Sequence, residues 1–163
     1  VRAKAFGMKI IYNSRTRKTD VEKEFGFEYR EFNDLIESSD IISPHMPYSS
    51  EVHHLFNYNT FRKMKKGAIF INVSRGGLMD EDALAELLEE KHLYGAGLDV
   101  FENEPDVNIR LTKLDNVLMT PHTGSATDKA RSGMGVMVIK NIEQALSGKT
   151  PDNLIPELRN MVK

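Results

Sequence analysis

The sequence predicts an α/β fold built on a doubly wound parallel sheet. Short apolar runs rich in β-branched residues alternate along the chain with longer amphipathic segments, which is the pattern of repeated strand–helix units. The chain has 163 residues, of which 40% are hydrophobic and 28% charged, and these values are typical of one globular domain with its own core. We expect functional residues directly after strands, because such sheets bind ligands at the carboxyl ends of their strands.

The individual elements follow from the spacing of apolar residues and from the residues that stop or cap each segment. In chain order they are a helix end at 2–6, a strand at 8–12, a helix at 31–39, a strand at 40–43, a helix at 58–65, a strand at 68–73, a helix at 81–91, strands at 95–100 and 116–120, and a helix at 125–146. Gly7 and Gly67 stop the helices that precede them. Asp80 can cap the helix that follows it, and Ser125 and Asp128 have the spacing of a capping box.

The composition argues against several classes of site and partner. There are no cysteines, which excludes disulfides and thiolate metal sites and fits a cytoplasmic protein. No run approaches the roughly 18 apolar residues that span a bilayer, and the first residues lack the order of a secretory signal. The net charge is −2 with both signs interspersed, so we expect neither a nucleic-acid nor a membrane partner. We also predict no metal site, because no His and acid cluster has metal-ligand spacing.

The turn after the first predicted strand is rich in hydroxyl and guanidinium groups. Ser14 and Thr16 offer hydroxyls, and Arg15 and Arg17 offer planar guanidinium groups that can bind a phosphate through two hydrogen bonds. In dinucleotide-binding sheets an acid at this place binds the ribose 2′-hydroxyl of NAD, and here no acid comes before Asp20. The turn therefore favours NADP(H), with NAD(H) still open. The alternative is a solvated basic turn without a ligand.

A second candidate follows the most apolar strand, in the segment Val73-Ser74-Arg75-Gly76-Gly77. Arg75 can hold a carboxylate through two parallel hydrogen bonds. The two glycines allow a sharp turn or a close approach of backbone to a ligand. The alternative for Arg75 is a salt bridge within the loop.

Acidic residues and a histidine follow the next two strands. Asp99 lies in a strand that otherwise predicts burial, so its carboxylate needs a partner or a role. Glu102 and Glu104 come directly afterwards, and either is compatible with an ordinary surface acid. His122 follows the strand at 116–120 and precedes a helix, where an imidazole can donate a proton near neutral pH.

The other histidines are expected to have different surroundings. His45 follows the strand at 40–43 and can line a cofactor cleft. His53, His54 and His92 are expected to face solvent. A hydrolase based on a serine nucleophile is not indicated, because the chain lacks a Gly-x-Ser-x-Gly motif.

Three motifs occur in order along the chain. They are Val73-Ser74-Arg75-Gly76, Gly97-Leu98-Asp99-Val100-Phe101-Glu102-Asn103-Glu104-Pro105 and Thr120-Pro121-His122-Thr123-Gly124-Ser125. Together they resemble the D-isomer-specific 2-hydroxyacid dehydrogenases, and the turn Ser14-Arg15-Thr16 resembles the glyoxylate and hydroxypyruvate reductase branch. The resemblance implies a Rossmann-type NAD(P)-binding domain at 1–124. It also implies a long helix and tail at 125–163 that return toward a substrate domain.

The resemblance implies a role for each candidate residue. Arg75 would hold the substrate carboxylate and polarise its carbonyl, His122 would be the general acid or base, and Glu104 would orient His122. Glu104 is chosen over Glu102 because the family acid directly precedes the proline. The implied cofactor-binding residues are Ser14, Arg15, Thr16, His45, Pro47, Val73, Ser74, Asp99 and Gly124. The substrate would be a small 2-keto or 2-hydroxy acid (glyoxylate, hydroxypyruvate or 2-ketogluconate), and the full-length enzyme would be a homodimer.

The sequence also departs from the family pattern. It contains neither the Gly-x-Gly-x-x-Gly turn nor the N-terminal substrate domain, so we expect a chain truncated at the N-terminus, without its first strand and inactive by itself. A nucleotide-sensing binding module remains an alternative, because co-repressors that share this fold retain the Arg-Glu-His set. Formate dehydrogenases are a further alternative. They carry a Gln in place of the acid, so Glu104 argues against them.

Overall fold

The computed structural model describes residues 2–159. Its helices are α1 (Arg2–Ala5), α2 (Thr19–Phe25), α3 (Phe32–Ser38), α4 (Tyr58–Lys63), α5 (Glu81–Glu89) and α6 (Asp128–Leu146). Its strands are β1 (Ile11–Tyr12), β2 (Glu28–Tyr29), β3 (Ile41–Ile42), β4 (Ile69–Asn72), β5 (Gly95–Leu98) and β6 (Val117–Met119). Short 3₁₀ turns lie at Ser50–Val52, Gly76–Leu78, Leu111–Lys113 and Pro156–Leu158. The end of the predicted tail, 160–163, lies outside the described residues.

The strands pair in parallel, which confirms the predicted fold class. β1 pairs with β2, and β3, β4, β5 and β6 form a second sheet in that order. The register aligns Ile69 of β4 with Ile41 of β3 and with Gly95 of β5, so the carboxyl ends of these strands share one edge. In the usual doubly wound order 3-2-1-4-5-6, the first strand pairs with a strand on either side and so joins two groups of strands into one sheet. Among residues 2–159, no strand pairs with both β1 and β3.

The core is built from β4 and the helices around it. The rings of Phe56 and Phe61 each lie with their centroid 5.0 Å from the centroid of Phe70 in β4. Leu84 and Leu87 of α5 are fully buried in the same cluster. Each such side chain stabilises the fold by about 1.5–3 kcal/mol, which holds α5 in place through its predicted apolar face.

Helix capping agrees with the sequence prediction at α5 and differs from it at α6. The Asp80 carboxylate accepts hydrogen bonds from the backbone N–H groups of Asp82 and Ala83, both at 3.0 Å, as predicted. The predicted cap at Ser125 is wrong, because α6 begins later and Thr127 accepts from the N–H of Ala130 at 3.2 Å. Both residues carry a hydroxyl that can cap a helix, so sequence spacing alone did not distinguish them.

Two elements near the start of the chain were not predicted. α2 has the sequence TDVEKEF and contains no buried residue, so its apolar spacing is weak. β2 has only two residues and is recognisable by its pairing with β1. Both elements depend on contacts that are distant in sequence, which periodicity cannot report.

The chain forms two compact units, divided between Pro121 and His122. The first unit contains both sheets and α1 to α5, and the second contains α6. The predicted functional division, with a cofactor domain at 1–124, remains a prediction. No helix within residues 2–159 combines the length and apolar character needed to cross a membrane.

Candidate active site

The end of β4 is organised by a buried asparagine. Asn72 is 0% exposed, and its side-chain NH₂ donates to the Arg75 carbonyl at 2.9 Å. Its side-chain oxygen accepts from the Ser74 N–H at 3.1 Å. These two bonds fold the chain after β4 into a fixed turn with Arg75 at the carboxyl edge of the sheet. Sequence reasoning missed Asn72, although it is the one polar residue in the apolar run 68–73.

The turn that carries Arg75 is joined to the segment after β3. The Ser74 hydroxyl donates to the Met46 carbonyl at 2.7 Å. Met46 lies between His45 and Pro47, so three predicted cofactor-binding residues from two neighbouring strand ends meet here. The Arg75 guanidinium is exposed and donates to the Ser74 carbonyl at 2.7 Å. It is therefore available to an anion at the edge of the sheet.

Gly76 brings the Arg75 turn against the segment after β5. A Cβ atom at Gly76 would lie 2.0 Å from the Phe101 carbonyl carbon and 2.3 Å from the Glu102 nitrogen. Only a glycine allows this approach, because no side-chain carbon fits within 3.0 Å of backbone. The second predicted motif thus comes directly beside the first.

The segment after β5 carries the two predicted acids. β5 ends at Leu98, before the predicted end at 100, so Asp99 lies just beyond the strand and not within it as predicted. Asp99 is buried and accepts from the Thr120 hydroxyl at 2.5 Å. Glu104 accepts from the Phe101 N–H at 2.9 Å, which folds the segment back on itself. Arg75, Asp99 and Glu104 therefore follow neighbouring strand ends, as expected for a site in this class of sheet.

A buried acid that the sequence did not indicate supports this segment. Glu81 is 9% exposed and accepts from the Glu102 N–H at 2.8 Å. Burial raises the pKa of the Glu81 carboxyl above its ordinary value, although the backbone hydrogen bond from Glu102 acts in the opposite direction. In the sequence Glu81 is an ordinary first-turn acid of α5, so only its tertiary contact reveals this role.

His122 is the first residue of the second unit. Its backbone φ is +51°, in the left-handed region that is uncommon for residues other than glycine. Such conformations cluster at functional sites and cost roughly 1–3 kcal/mol, so the surrounding structure must hold them. Thr123 and Gly124 follow it before α6 begins. The pairing of His122 with Glu104 remains a prediction.

The turn after β1 is only partly available to a ligand. Ser14 donates to the Thr16 carbonyl at 2.7 Å, and Arg15 is exposed. Arg17 forms two hydrogen bonds of 2.8 Å with Glu22, and its role toward a phosphate stays a prediction. The same carboxylate accepts from the Tyr12 hydroxyl at 2.7 Å. Arg17 and Tyr12 lower the pKa of Glu22 to about 2.

The remaining histidines agree only in part with the prediction. His45 is exposed and directly precedes Met46, whose carbonyl accepts from Ser74. The His45 Nε2 lies 3.0 Å from the Ser43 hydroxyl. His53 is exposed as predicted. His54 and His92 are half-buried, which corrects the expectation that they face solvent. The reason is tertiary contact, since His92 Nε2 lies 3.0 Å from the Met64 carbonyl and His54 contacts Glu102.

The fold and the strand-end residues define a nucleotide-binding domain of the doubly wound α/β class. Residues 1–124 match the family model described as "D-isomer specific 2-hydroxyacid dehydrogenase, NAD binding domain". The chain belongs to this family. Its polar groups fit a nicotinamide dinucleotide at two places, with donor groups (hydroxyls and the exposed Arg15) after β1 and the acceptor carboxylate of the buried Asp99 after β5.

Individual relatives agree with the family assignment. A glyoxylate reductase of Thermococcus litoralis is 50% identical over 154 residues, which are 94% of this chain and 46% of that protein. A glyoxylate reductase structure from Paecilomyes thermophila has a TM-score of 0.83 at 33% identity, covering 97% of this chain and 48% of that one. An NADPH-dependent glyoxylate/hydroxypyruvate reductase from Sinorhizobium meliloti, in complex with NADP and malonate, has a TM-score of 0.80 at 33% identity, covering 90% and 45%. The chain spans about half the length of the curated relatives it matches.

Proposed function

We propose that the complete protein is a cytoplasmic reductase that transfers a hydride between NADP(H) and a small 2-keto or D-2-hydroxy acid, such as glyoxylate or hydroxypyruvate. The observation that carries the proposal is the close packing of the Arg75 turn against the segment that bears Glu104, through Gly76. The Arg75 guanidinium and the Glu104 carboxylate beside neighbouring strand ends suit a substrate that carries both a carboxylate and a reducible carbonyl.

Arg75 is the proposed substrate-binding residue. Its guanidinium is exposed at the carboxyl edge, and its backbone is held by the Asn72 side chain. A planar guanidinium binds a carboxylate at two points and fixes its orientation, which the single ammonium of a lysine does not do. The same positive charge withdraws electron density from the neighbouring carbonyl, so its carbon accepts a hydride more readily.

His122 is the proposed proton donor in the direction of reduction. An imidazole changes its charge near neutral pH and can supply the proton that the new alkoxide needs. Glu104 is the proposed partner that orients this ring and favours its protonated form, since a carboxylate within about 4–6 Å favours a cation. The nicotinamide cofactor supplies the hydride when bound, and the protein supplies position and charge.

The preference for NADP(H) rests on the turn after β1. The exposed guanidinium of Arg15 and the hydroxyls of Ser14 and Thr16 suit the 2′-phosphate of NADP. The carboxylate that contacts this turn belongs to Glu22, and Arg17 and Tyr12 donate hydrogen bonds to it. These bonds keep Glu22 from accepting a hydrogen bond from the ribose 2′-hydroxyl of NAD. The Sinorhizobium meliloti relative was solved with NADP and a D-lactate dehydrogenase of Lactobacillus jensenii with NAD+, so the proposed preference rests on the turn after β1.

The experiment uses the complete natural-length protein. Oxidation of NADPH and of NADH is followed by absorbance with glyoxylate, hydroxypyruvate and 2-ketogluconate, for the wild type and for His122→Ala. We expect turnover with NADPH and at least one acid, and a loss of about 10²–10⁴-fold in kcat for His122→Ala. His92→Ala is the matched control, because its ring contacts the Met64 carbonyl away from the strand ends.

Either of two results would contradict the proposal. Equal kcat for His122→Ala and the wild type would remove the proton-donor role. Absence of turnover with every acid and both cofactors would overturn the reductase assignment and favour a nucleotide-sensing binding module.

We further propose that α6 packs against the half of the protein that lies outside this chain, and that the complete enzyme is a homodimer. α6 exposes a stripe of apolar side chains at four-residue spacing: Met134, Val138, Ile142 and Leu146. Side chains of this size favour burial by about 1.5–3 kcal/mol each, so a covered position is expected in the complete protein.

A further inference from the structure

A cluster of two imidazoles and a carboxylate lies beside the Arg75 turn. His53 and His54 follow the 3₁₀ turn Ser50–Val52, and Glu102 belongs to the segment after β5. One ligand atom from each of the three lies within 4.8 Å of the others. We propose that His53, His54 and Glu102 bind a zinc ion. This site is independent of the reductase function proposed above.

The direct contacts within the cluster already aim both rings at the carboxylate. His54 Nε2 lies 3.0 Å from one Glu102 oxygen, and His53 Nδ1 lies 3.7 Å from the other. Zinc binds imidazole nitrogen and carboxylate oxygen at about 2.0–2.2 Å, so ligands around one ion are separated by roughly 3–4 Å. Metal bonds lie in the plane of an imidazole ring, so binding an ion between the three groups requires the exposed His53 ring to rotate out of its stack with His54.

The ligand chemistry selects zinc over the common alkaline-earth cations. Two imidazoles and one carboxylate form the His₂Glu set that zinc accepts, with a fourth position left for water. Calcium and magnesium prefer oxygen ligands in larger number, which two histidines do not provide. Sequence spacing did not indicate this site, because Glu102 is 48 positions from His54 in the chain.

The backbone fixes His54, and the His53 ring stacks on it. His54 has a φ of +49°, and its N–H donates to the Gly77 carbonyl at 2.9 Å. The two imidazole rings are stacked, with centroids 3.8 Å apart. The Tyr48 hydroxyl lies 3.2 Å from His53 Nδ1, so zinc bound at this nitrogen displaces the tyrosine contact. A left-handed conformation at a non-glycine residue is costly, and here it directs the His54 ring toward Glu102.

An adjoining cavity favours a cation beside the cluster. A cavity of about 280 Å³ opens beside the cluster and is lined by His54, Glu102 and the acids Asp80, Glu81, Asp82 and Asp106. The local charge is strongly negative, and only Asp82 among these acids has a cationic partner within the described residues, Arg110 at 3.7 Å. Such a concave acidic surface raises the local concentration of cations and leads them to the imidazoles.

The test measures zinc affinity in the complete protein, free of any polyhistidine tag and stripped of metal with a chelator. Zinc alone is titrated in competition with a chromophoric chelator, for the wild type, His53→Gln, His54→Gln and Glu102→Gln. We expect one tight site per chain and at least a tenfold rise in Kd for each variant, since even the loss of an outer contact costs about 10–100-fold. Excess calcium should leave the zinc bound.

Two matched controls separate the cluster from general surface binding. His45→Gln removes an exposed histidine, and Glu51→Gln removes an exposed acid close to the cluster in sequence. Both controls should keep the wild-type Kd. Unchanged zinc affinity in His53→Gln, which alters an exposed side chain and leaves the fold intact, would overturn the proposal, as would equal losses in the controls.

Discussion

Arg75 and the segment that bears Glu104 are each held by a buried polar neighbour outside the proposed catalytic set. Asn72 fixes the backbone of Arg75 with its side-chain amide. Glu81 fixes the segment of Glu104 by accepting the Glu102 N–H. Both supports are buried and polar, and a buried polar group without its partner costs about 1–3 kcal/mol. Substitution of Asn72 or Glu81 is therefore expected to disturb the segment that each one positions.

The Glu22 carboxylate gives a pH-dependent prediction at the same scale. Arg17 and Tyr12 lower its pKa to about 2 in the folded protein, compared with about 4.3 in an unfolded chain. The stabilisation is therefore fully present above about pH 4.3 and is lost as the pH falls toward about 2. We expect Glu22→Gln to lower the urea midpoint at pH 7, and expect this difference from the wild type to shrink toward pH 2.5.

Glu24→Gln is the control, because Glu24 is exposed on the same helix, α2. Its urea midpoint should stay close to that of the wild type at both pH values. A difference between Glu22→Gln and the wild type that is the same at pH 7 and at pH 2.5 would contradict the assigned ion pair.

At the scale of elements, the site depends on how closely two loops approach. Gly76, at the start of a 3₁₀ turn, packs against the backbone of Phe101 and Glu102. We expect Gly76→Ala to destabilise the protein by about 3 kcal/mol or more, because backbone cannot yield as a flexible side chain does. Thermal and urea unfolding of the complete protein measure the effect.

Gly97→Ala is the matched control in the neighbouring strand β5. A Cβ there would lie 3.8 Å from the Ile71 side chain, which is ordinary contact. We expect its free energy of unfolding to change by less than about 1 kcal/mol. Equal stability of Gly76→Ala and Gly97→Ala would show that the two loops do not pack as described.

At the scale of the whole molecule, the exposed stripe on α6 predicts what covers it. Val138→Asp places a charge in that stripe, and we expect a loss of about 3 kcal/mol in the complete protein, because a buried charge without a partner is costly. Lys129→Glu, on an exposed position of the same helix, should change stability little. Light scattering should give twice the mass of one complete chain for the wild type.

Two results would contradict these expectations. Unchanged stability of Val138→Asp would indicate that the stripe stays in water in the complete protein. A monomer mass at micromolar concentration would remove the proposed homodimer while leaving the packing of α6 untouched.

The sequence by itself determined the class of fold, most of the strands, the start of α5 and the family. It could do so because these depend on local features: apolar spacing, capping side chains and short motifs placed after strands. The position of Arg75 after a strand was predicted this way, because a parallel sheet places functional residues after its strands. The choice of Glu104 came from the family resemblance, and the roles of both residues stay predictions.

Only the tertiary structure decided which groups support and surround those residues. Contacts between separate segments give Asn72, Glu81 and Gly76 their roles. Such contacts also form the ion pair of Arg17 with Glu22 and the contact of His54 with Glu102. α2 and β2 were missed for the same reason, since a short element with little apolar surface is specified by its partners. Periodicity along a chain reports which face of an element is buried, but it does not report what that face meets.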